Sequence, residues 1–499
     1  MSKSHNLFDL IKAMDKGERR YFKLFASAFE GKDKNYIALF DAIVKQDKYD
    51  EKALKKKFAK ASFIKHFAVV KNQLFHNIMR SMRLYYDNGS ELEKIYSLHH
   101  NHHILQTKGL NTMAVEQLEK ALKIANEGEM LTELVLLNYE RNQRLVNMQF
   151  EGLSYEQVVD KLDEALRSSK NLVAFHDCIR VSMEVDYLAF QHANRAKNIQ
   201  DRVLEISQLN ILKDEAMPHL IRARIYYHQC RTAIAFMLKN YQKFYNESSA
   251  MEKLFDEKLF KKENEGMGYI IVLNNFLFGA IRVKPFEEVE QIANLYTQKV
   301  LEFKQKKIST TQFEARIFKG TCQYKMDYYL FHHQIDKLPT IVEEFDLQLN
   351  KIKNKICVFF RLKFEYQLAY AYWLIEDVEK AECLVDEMLN SANIKSHKEY
   401  YSANLILNLL LLYRKEEYEH LSYQIRNCQE ALIRCNYLHA YEKELLKMLG
   451  QLLKNKNKVE VLKKYKVKFE KMKTDISQID AFEKINILLW IDRELDLNF

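Results

Sequence analysis

A chain of 499 residues, 47% of them hydrophobic, can bury a large core and requires no disulfide or metal staple to fold. Its 3 Pro and 11 Gly are too few for the turns of a sheet-rich protein, so the composition indicates an all-α fold and nearly excludes phosphate-cradling loops. The +9 net charge is uneven: residues 1–85 hold 19 Lys and Arg against 9 Asp and Glu, and the remainder holds 58 against 59.

Short helices are expected at about 5–14, 18–29, 34–46 and 51–60, then a longer one at about 63–86, punctuated by Gly17, Gly31 and Gly89. Asp50 and Ser62 stand where helix N-caps would stand. Phe63, Phe67, Val70, Leu74, Ile78 and Met82 form one apolar stripe. No acidic residue occurs from Lys52 to Tyr86. Lys52, Lys55, Lys56, Lys57 and Lys60 are expected on one short helix, with Lys65, Lys71, Arg80 and Arg83 along the next. Such a pair could set Lys55, Lys56, Lys57 and Lys60 against nucleic-acid phosphates. The same lysines also suit a solvated face. Residues 1–88 are therefore expected to form a basic N-terminal helical domain, and 89–499 a second domain.

From about residue 90 the pattern changes to paired helices, with first helices starting near Ser90, Glu129, Asn171, Glu215, Asn264, Ser309, Lys355, Ser396 and Tyr437. The second helices repeat one stripe at i, i+4, i+7 and i+8. It reads Ala114-Leu118-Ala121-Leu122, Val158-Leu162-Ala165-Leu166 and Ala381-Val385-Met388-Leu389, and more loosely Val289-Ala293-Tyr296 and Leu421-Ile425-Cys428. In YQLAYAYWLIEDVEKAECLVDEML, residues 366–389, Ala369 and Ala381 let two helices approach, Tyr372 and Val385 fill the gaps, and Glu376-Asp377 makes the corner. This stretch resembles a tetratricopeptide repeat. The resemblance implies a right-handed α-solenoid of antiparallel helix pairs, with steps of roughly 39–49 residues against the standard 34. The runs LIKAMDKGERRYFKLFAS, YIALFDAIV and VVKNQLFHNIMRSMRLYY, with the later YSANLILNLLLLYRKEEYEHLSYQIRNCQEAL, resemble an uncharacterised family of large bacterial helical-repeat proteins. A second lysine-rich stretch spans Lys454–Lys473, and a last helix at about Asp475–Asp492 is expected to end the stack.

No GxxxxGK[ST], GxGxxG, GxSxG or HExxH motif occurs, so no catalytic residue or cofactor is assigned and no enzymatic activity is expected. His99, His102 and His103 share a helix face at chelating spacing, but Glu91 and Glu93 are poorly placed to complete a metal site, so none is expected. The first helices are rich in residues that could clamp a peptide, among them Tyr139, Arg141, Arg144, Arg224, Tyr227 and Arg231. Seven Cys occur without a CxxC, and Cys428 and Cys435, seven apart, would lie roughly 10 Å apart on a helix, too far for a disulfide. MSKSHNLFDLIKAMDKGERR shows no long apolar run and no small-residue cleavage site, so no signal peptide is expected there. The apolar runs Tyr269–Val283 and Asn404–Tyr413 are too short to span a membrane and read as buried core helices. These features lead to the expectation of a cytoplasmic scaffold that binds a protein or peptide. The alternative is a regulator that binds nucleic acid through residues 52–86.

Overall fold

The computed structural model describes residues 3–29, 35–86, 89–190, 197–255, 266–305 and 313–497. The expected helix starts near Asn264 and Ser309, and the break at Gly31, lie outside them. Every regular element among the described residues is helical. Two compact units are present, Met1–Leu172 and Val173–Phe499.

The first unit opens with α1 (Lys3–Ala13), α2 (Lys16–Phe29), α3 (Asn35–Val44), α4 (Glu51–Lys57) and α5 (Phe67–Tyr85). They close a core of their own around Ile11, Phe22, Phe40, Leu54 and Leu74. On α5 the buried residues are Phe67, Val70, Leu74 and Ile78, the expected stripe. Asp50 caps α4 as expected, its side chain accepting from the Ala53 amide at 2.9 Å. Ser62 does not cap α5. It opens a 3-10 turn, Ser62–His66, that tucks Phe63 into the core against Phe58. Next come α6 (Glu91–Thr107), α7 (Asn111–Glu127), α8 (Leu131–Asn147) and α9 (Tyr155–Phe190). Ser90 and Glu93 form a capping box at α6, which explains the sharp start there.

The break expected near Asn171 is absent, because α9 runs through it unbroken. Ser168 and Ser169 each donate their hydroxyl to the carbonyl four residues back, Glu164 and Ala165, rather than capping a new helix. Of the two stripes expected before residue 170, Ala114, Leu118, Ala121 and Leu122 are buried, whereas Leu162 and Leu166 are exposed.

The second unit continues with α10 (Lys197–Ser207), α11 (Ile221–Met237), α12 (Tyr241–Leu254), α13 (Gly266–Val283) and α14 (Phe286–Gln305). A single helical run, α15 (Phe313–Phe318) and α16 (Tyr324–Phe331), is interrupted by a π-turn at Lys319–Gln323. Then follow α17 (Leu338–Ile352), α18 (Val358–Leu374), α19 (Val378–Leu389), α20 (Lys398–Arg414), α21 (Tyr418–Arg434), α22 (Ala440–Lys454), α23 (Lys458–Lys473), α24 (Ile476–Lys484) and α25 (Ile487–Leu497). Ala369, Ala381, Val385 and Met388 are all buried where α18 meets α19, and the Tyr372 hydroxyl donates to Asp346 at 3.0 Å.

The corners recur more faithfully than the stripes. At Gly109, Glu129, Gln149, Lys239, His333, Glu376, Glu416 and Asn436 the backbone is left-handed, with φ between 48° and 76°. The next residue's amide then bonds the carbonyl five positions back: Met130 to Ala125, Asn240 to Ala235, Asp377 to Tyr372 and Glu417 to Leu412. This is a Schellman cap, used again and again, with Gly at only one of the eight corners. The pairs therefore turn without the glycine that usually marks such turns.

The chain ends differently from expectation. One last helix was expected; α24 and α25 are separate, because Tyr441 donates its hydroxyl to the Ile485 carbonyl and the Asn486 amide donates to the Tyr370 hydroxyl. Both helices fold back over α18 and α20 instead of merely closing the end. Tyr366 donates to the Lys484 carbonyl, Arg493 to the Leu374 carbonyl, and Arg414 pairs with Glu494. Lys239 and Tyr241, at the start of α12, bond Asp480 and Glu483. Helices α18 and α20 are consequently buried on nearly all faces, which explains their nearly unbroken apolar and aromatic sequence. Among the described residues no helix is long and apolar enough to cross a membrane.

Candidate functional site

A cavity of about 710 Å³ in the second unit lies against α11, α12 and α13, with Phe175 and Asp186 of α9 on its wall. Its apolar lining includes Tyr226, Phe236, Phe255, Ile271 and Phe278, and its polar lining Asp186, Arg222, Gln229, Asn274 and Asn275. Close packing builds the aromatic floor. A Cβ at Gly279 would sit 3.0 Å from the Tyr245 Cα, so only glycine lets α13 approach α12 this closely. Phe278 meets Phe236 and Phe244 edge-on at 5.6 and 5.3 Å between ring centres, and the Arg282 guanidinium lies 3.4 Å from the centre of the Phe278 ring. Burial pushes the Asp186 carboxyl above its usual range, partly offset by a hydrogen bond from Gln229.

Polar groups continue from this wall across the neighbouring helices. Lys319, in the π-turn, donates to Asn274 at 3.1 Å. Gln323 donates to Gln367 at 3.2 Å, and Gln367 to Asp327 at 2.6 Å. Burial, and then the charge of Lys363, holds the Lys319 ammonium down to about 7. The π-turn depends on Gly320, since a Cβ there would lie 2.1 Å from the Thr297 hydroxyl.

The six residues expected in a groove meet different fates. Tyr139 is exposed. Arg141 is buried, pairing with Glu164 at 2.8 Å and donating to the Lys161 carbonyl at 3.0 Å, and Arg144 is half-buried. Arg224 donates to the Pro218 and His219 carbonyls. Tyr227 is buried and donates to the Lys213 carbonyl, while Arg231 pairs with Glu247 and Asp214. These contacts are internal to the fold. The cavity instead takes residues one helical step away on α11, namely Arg222, Tyr226 and Gln229, together with the Asn274-Asn275 pair. That asparagine pair, polar within an otherwise apolar run, was the legible signal.

Lys55, Lys56 and Lys57 are exposed at the end of α4, and Lys60 is exposed in the turn after it rather than on the helix. Lys55 reaches Glu51 at 2.9 Å. Glu51 also receives Lys71, at 2.5 Å, and these cations hold its carboxyl down to about 2. His99, His102 and His103 on α6 face Glu140 of α8. Among the cysteines, Cys178, Cys230, Cys322 and Cys428 are buried thiols, whereas Cys357 and Cys383 are exposed.

No protein-family model and no curated protein matches the chain. Among solved structures, it is similar to a signal transduction ATPase with numerous domains that carries a tetratricopeptide repeat sensor, from Pyrococcus horikoshii. The match spans 90% of this chain and 68% of that one, at 11% identity and a TM-score of 0.35.

Proposed function

We propose that this helical-repeat protein is a scaffold or adaptor that holds a peptide segment of a partner protein in the α11–α13 cavity. The aromatic-floored cavity itself carries the reading. It is roomy enough for more than one large side chain, and a bulky apolar anchor would displace water from Phe236, Phe255 and Phe278. Asn275 and Gln229 line the same wall and offer both donors and acceptors to a peptide backbone. Helical-repeat stacks suit this task because neighbouring helices present one continuous concave surface.

The test is selection of random displayed peptides on the full chain, followed by titration of the winners. Enriched sequences should share a bulky apolar residue. Ile271→Glu, at an exposed position of the wall, and Ala233→Trp, which fills the cavity, should each weaken them at least tenfold. Failure to enrich any sequence, or winners indifferent to both substitutions, would overturn the reading.

A second reading rests on another observation. Lys52, Lys55, Lys56, Lys57 and Lys60 are all exposed in a segment where no carboxylate follows until residue 87, so they could contact nucleic-acid phosphates. A steep fall of duplex affinity with salt in the wild type, lost when Lys55, Lys56, Lys57 and Lys60 become Glu, would favour it.

A further inference from the structure

Three imidazoles on one face of α6 meet a carboxylate that the sequence places 37 or more residues away. The α6–α7–α8 turns bring Glu140 against them. Nε2 of His99 lies 2.7 Å from Oε2 of Glu140, Nε2 of His103 3.6 Å from Oε1, and Nε2 of His102 3.9 Å from Oε2. The ligand atoms of His99, His103 and Glu140 all fall within 4.8 Å of one another.

His102 adds an independent observation. Its side chain is fully buried, and Nδ1 is 2.8 Å from the Ala114 carbonyl. A carbonyl only accepts, so Nδ1 carries the hydrogen and Nε2 is the nitrogen left to offer a lone pair to a metal. That nitrogen is buried, has no hydrogen-bond partner, and points at Glu140. A carboxylate is also only an acceptor, so two acceptors face each other across a gap. Glu140 Oε2 is already bonded to His99 Nε2, so the buried acceptor left without a partner is His102 Nε2; leaving it so is costly, and a cation in the gap relieves it.

The gap has the size that a metal ion needs. An ion about 2.1 Å from each ligand in tetrahedral geometry holds neighbouring ligand atoms about 3.4 Å apart. The His103 and His102 separations from Glu140 are close to that value; the His99–Glu140 pair must open by about 0.7 Å, and His102, which stands outside the 4.8 Å group, must close on the other ligands. We propose that His99, His102, His103 and Glu140 bind one divalent transition-metal ion of the zinc class, clamping α6 to α8. Three imidazoles and a carboxylate are the donor set that such ions take. The Ala114 carbonyl on α7 is the outer partner that fixes the His102 tautomer. His103 is 49% exposed and gives the ion a way in.

The experiment uses the full chain, free of any histidine tag and stripped with a chelator, titrated with Zn²⁺ by calorimetry and with Co²⁺ by absorption. One tight equivalent of Zn²⁺ should bind, and Co²⁺ should give the intense visible bands of a four-coordinate site. Glu140→Gln keeps the shape of the side chain, and His103→Ala changes an exposed position, so neither should disturb the fold by circular dichroism. Each should weaken Zn²⁺ at least tenfold, the minimum that loss of even an outer partner costs. Equal affinity in wild type and Glu140→Gln, or the weak bands of six-coordinate Co²⁺, would overturn the proposal. Those are the results that two exposed histidines one helical turn apart would give unaided.

Discussion

Between α1 and α5 most of the cations stand outward, although Lys23 meets Asp41 and Lys55 and Lys71 meet Glu51, and the segment from Lys52 to Tyr86 holds no carboxylate of its own. Between α18 and α25 several cations are tied to carboxylates distant in the chain: Lys415 to Glu382, Lys484 to Glu399, Arg414 to both Glu376 and Glu494. The hydrophobic cores differ in the same sense. The α1–α5 core is small and closed, whereas the other continues from Ala315 to Leu495 and buries its central helices on nearly every face. In the first region a helix needs one apolar stripe and its polar face is unconstrained. In the second, helices are covered on two sides, so polar groups survive only where another helix supplies a partner. Net charge therefore accumulates where packing does not forbid it.

Several substitutions would break or sharpen this contrast. The largest effect should come from Ala381→Asp, which places a carboxylate at a fully buried position between α18 and α19. A loss of about 3–5 kcal/mol is expected from chemical denaturation, since no partner awaits the charge. A melting temperature within a degree of wild type would show that this crossing is looser than described.

Lys319 should give the second effect, with an alkaline signature. Its ammonium sits at about 7 in the folded chain against an ordinary 10.5. Between these values the unfolded chain binds more protons, so this residue makes stability rise with pH across that window. Lys319→Met should remove that slope and stabilise the protein near pH 6 by about 1–3 kcal/mol. Parallel curves for variant and wild type from pH 6 to 10 would show that Lys319 is better solvated than its surroundings indicate.

Glu51 should behave oppositely. Its carboxyl, ordinarily at 4.5, is held at about 2 by Lys71 and Lys55, so its contribution is present above 4.5 and is lost as pH falls through 2. Glu51→Gln should cost about 1 kcal/mol at pH 7, allowing for its partial exposure, and only a small fraction of that at pH 2, where the carboxyl is half protonated. Hydrogen exchange localised to α4 and α5 reads this directly, and an effect that persists in full at pH 2 would point to lost packing rather than lost charge.

Glu376→Gly should be smaller and of favourable sign. Glu376 holds φ +68° at the α18–α19 corner, a conformation that costs a side-chain-bearing residue about 1 kcal/mol relative to glycine. The gain should be about 0.5 kcal/mol, because Glu376 also reaches Arg414 and glycine frees the unfolded chain. A destabilised variant would give that ion pair the larger weight. Smallest of all is the reversal of Lys56, Lys57 and Lys60 to Glu, leaving Lys55 to its pair with Glu51, which should shift folding stability by no more than about 0.5 kcal/mol because all three are exposed. A larger loss would mean that the α1–α5 surface is less free than its exposure indicates.

The amino-acid sequence alone was enough to determine the fold class, the α5 stripe, the Ser90 start and the α18–α19 pair with its Glu376-Asp377 corner. Each of these depends on residues within about a dozen positions of one another, so periodicity and capping chemistry express them directly. It misplaced the break at Asn171, because serines that can cap a helix can equally bond back within one, and only packing chooses. It also could not show the corner repeat, since seven of the eight corners lack the glycine that would announce them. Tertiary structure decided everything that joins distant segments. Tyr227 and Arg231 were drawn into bonds with Lys213, Asp214 and Glu247, while Arg222, Tyr226 and Gln229 line the cavity. Glu140 was set against three histidines, and α24 and α25 were laid over α18, more than 110 residues earlier in the chain. The physical reason is the same in each case. A side chain's role depends on which way its helix is rotated and on what covers it, and both are fixed by neighbours that local sequence does not contain.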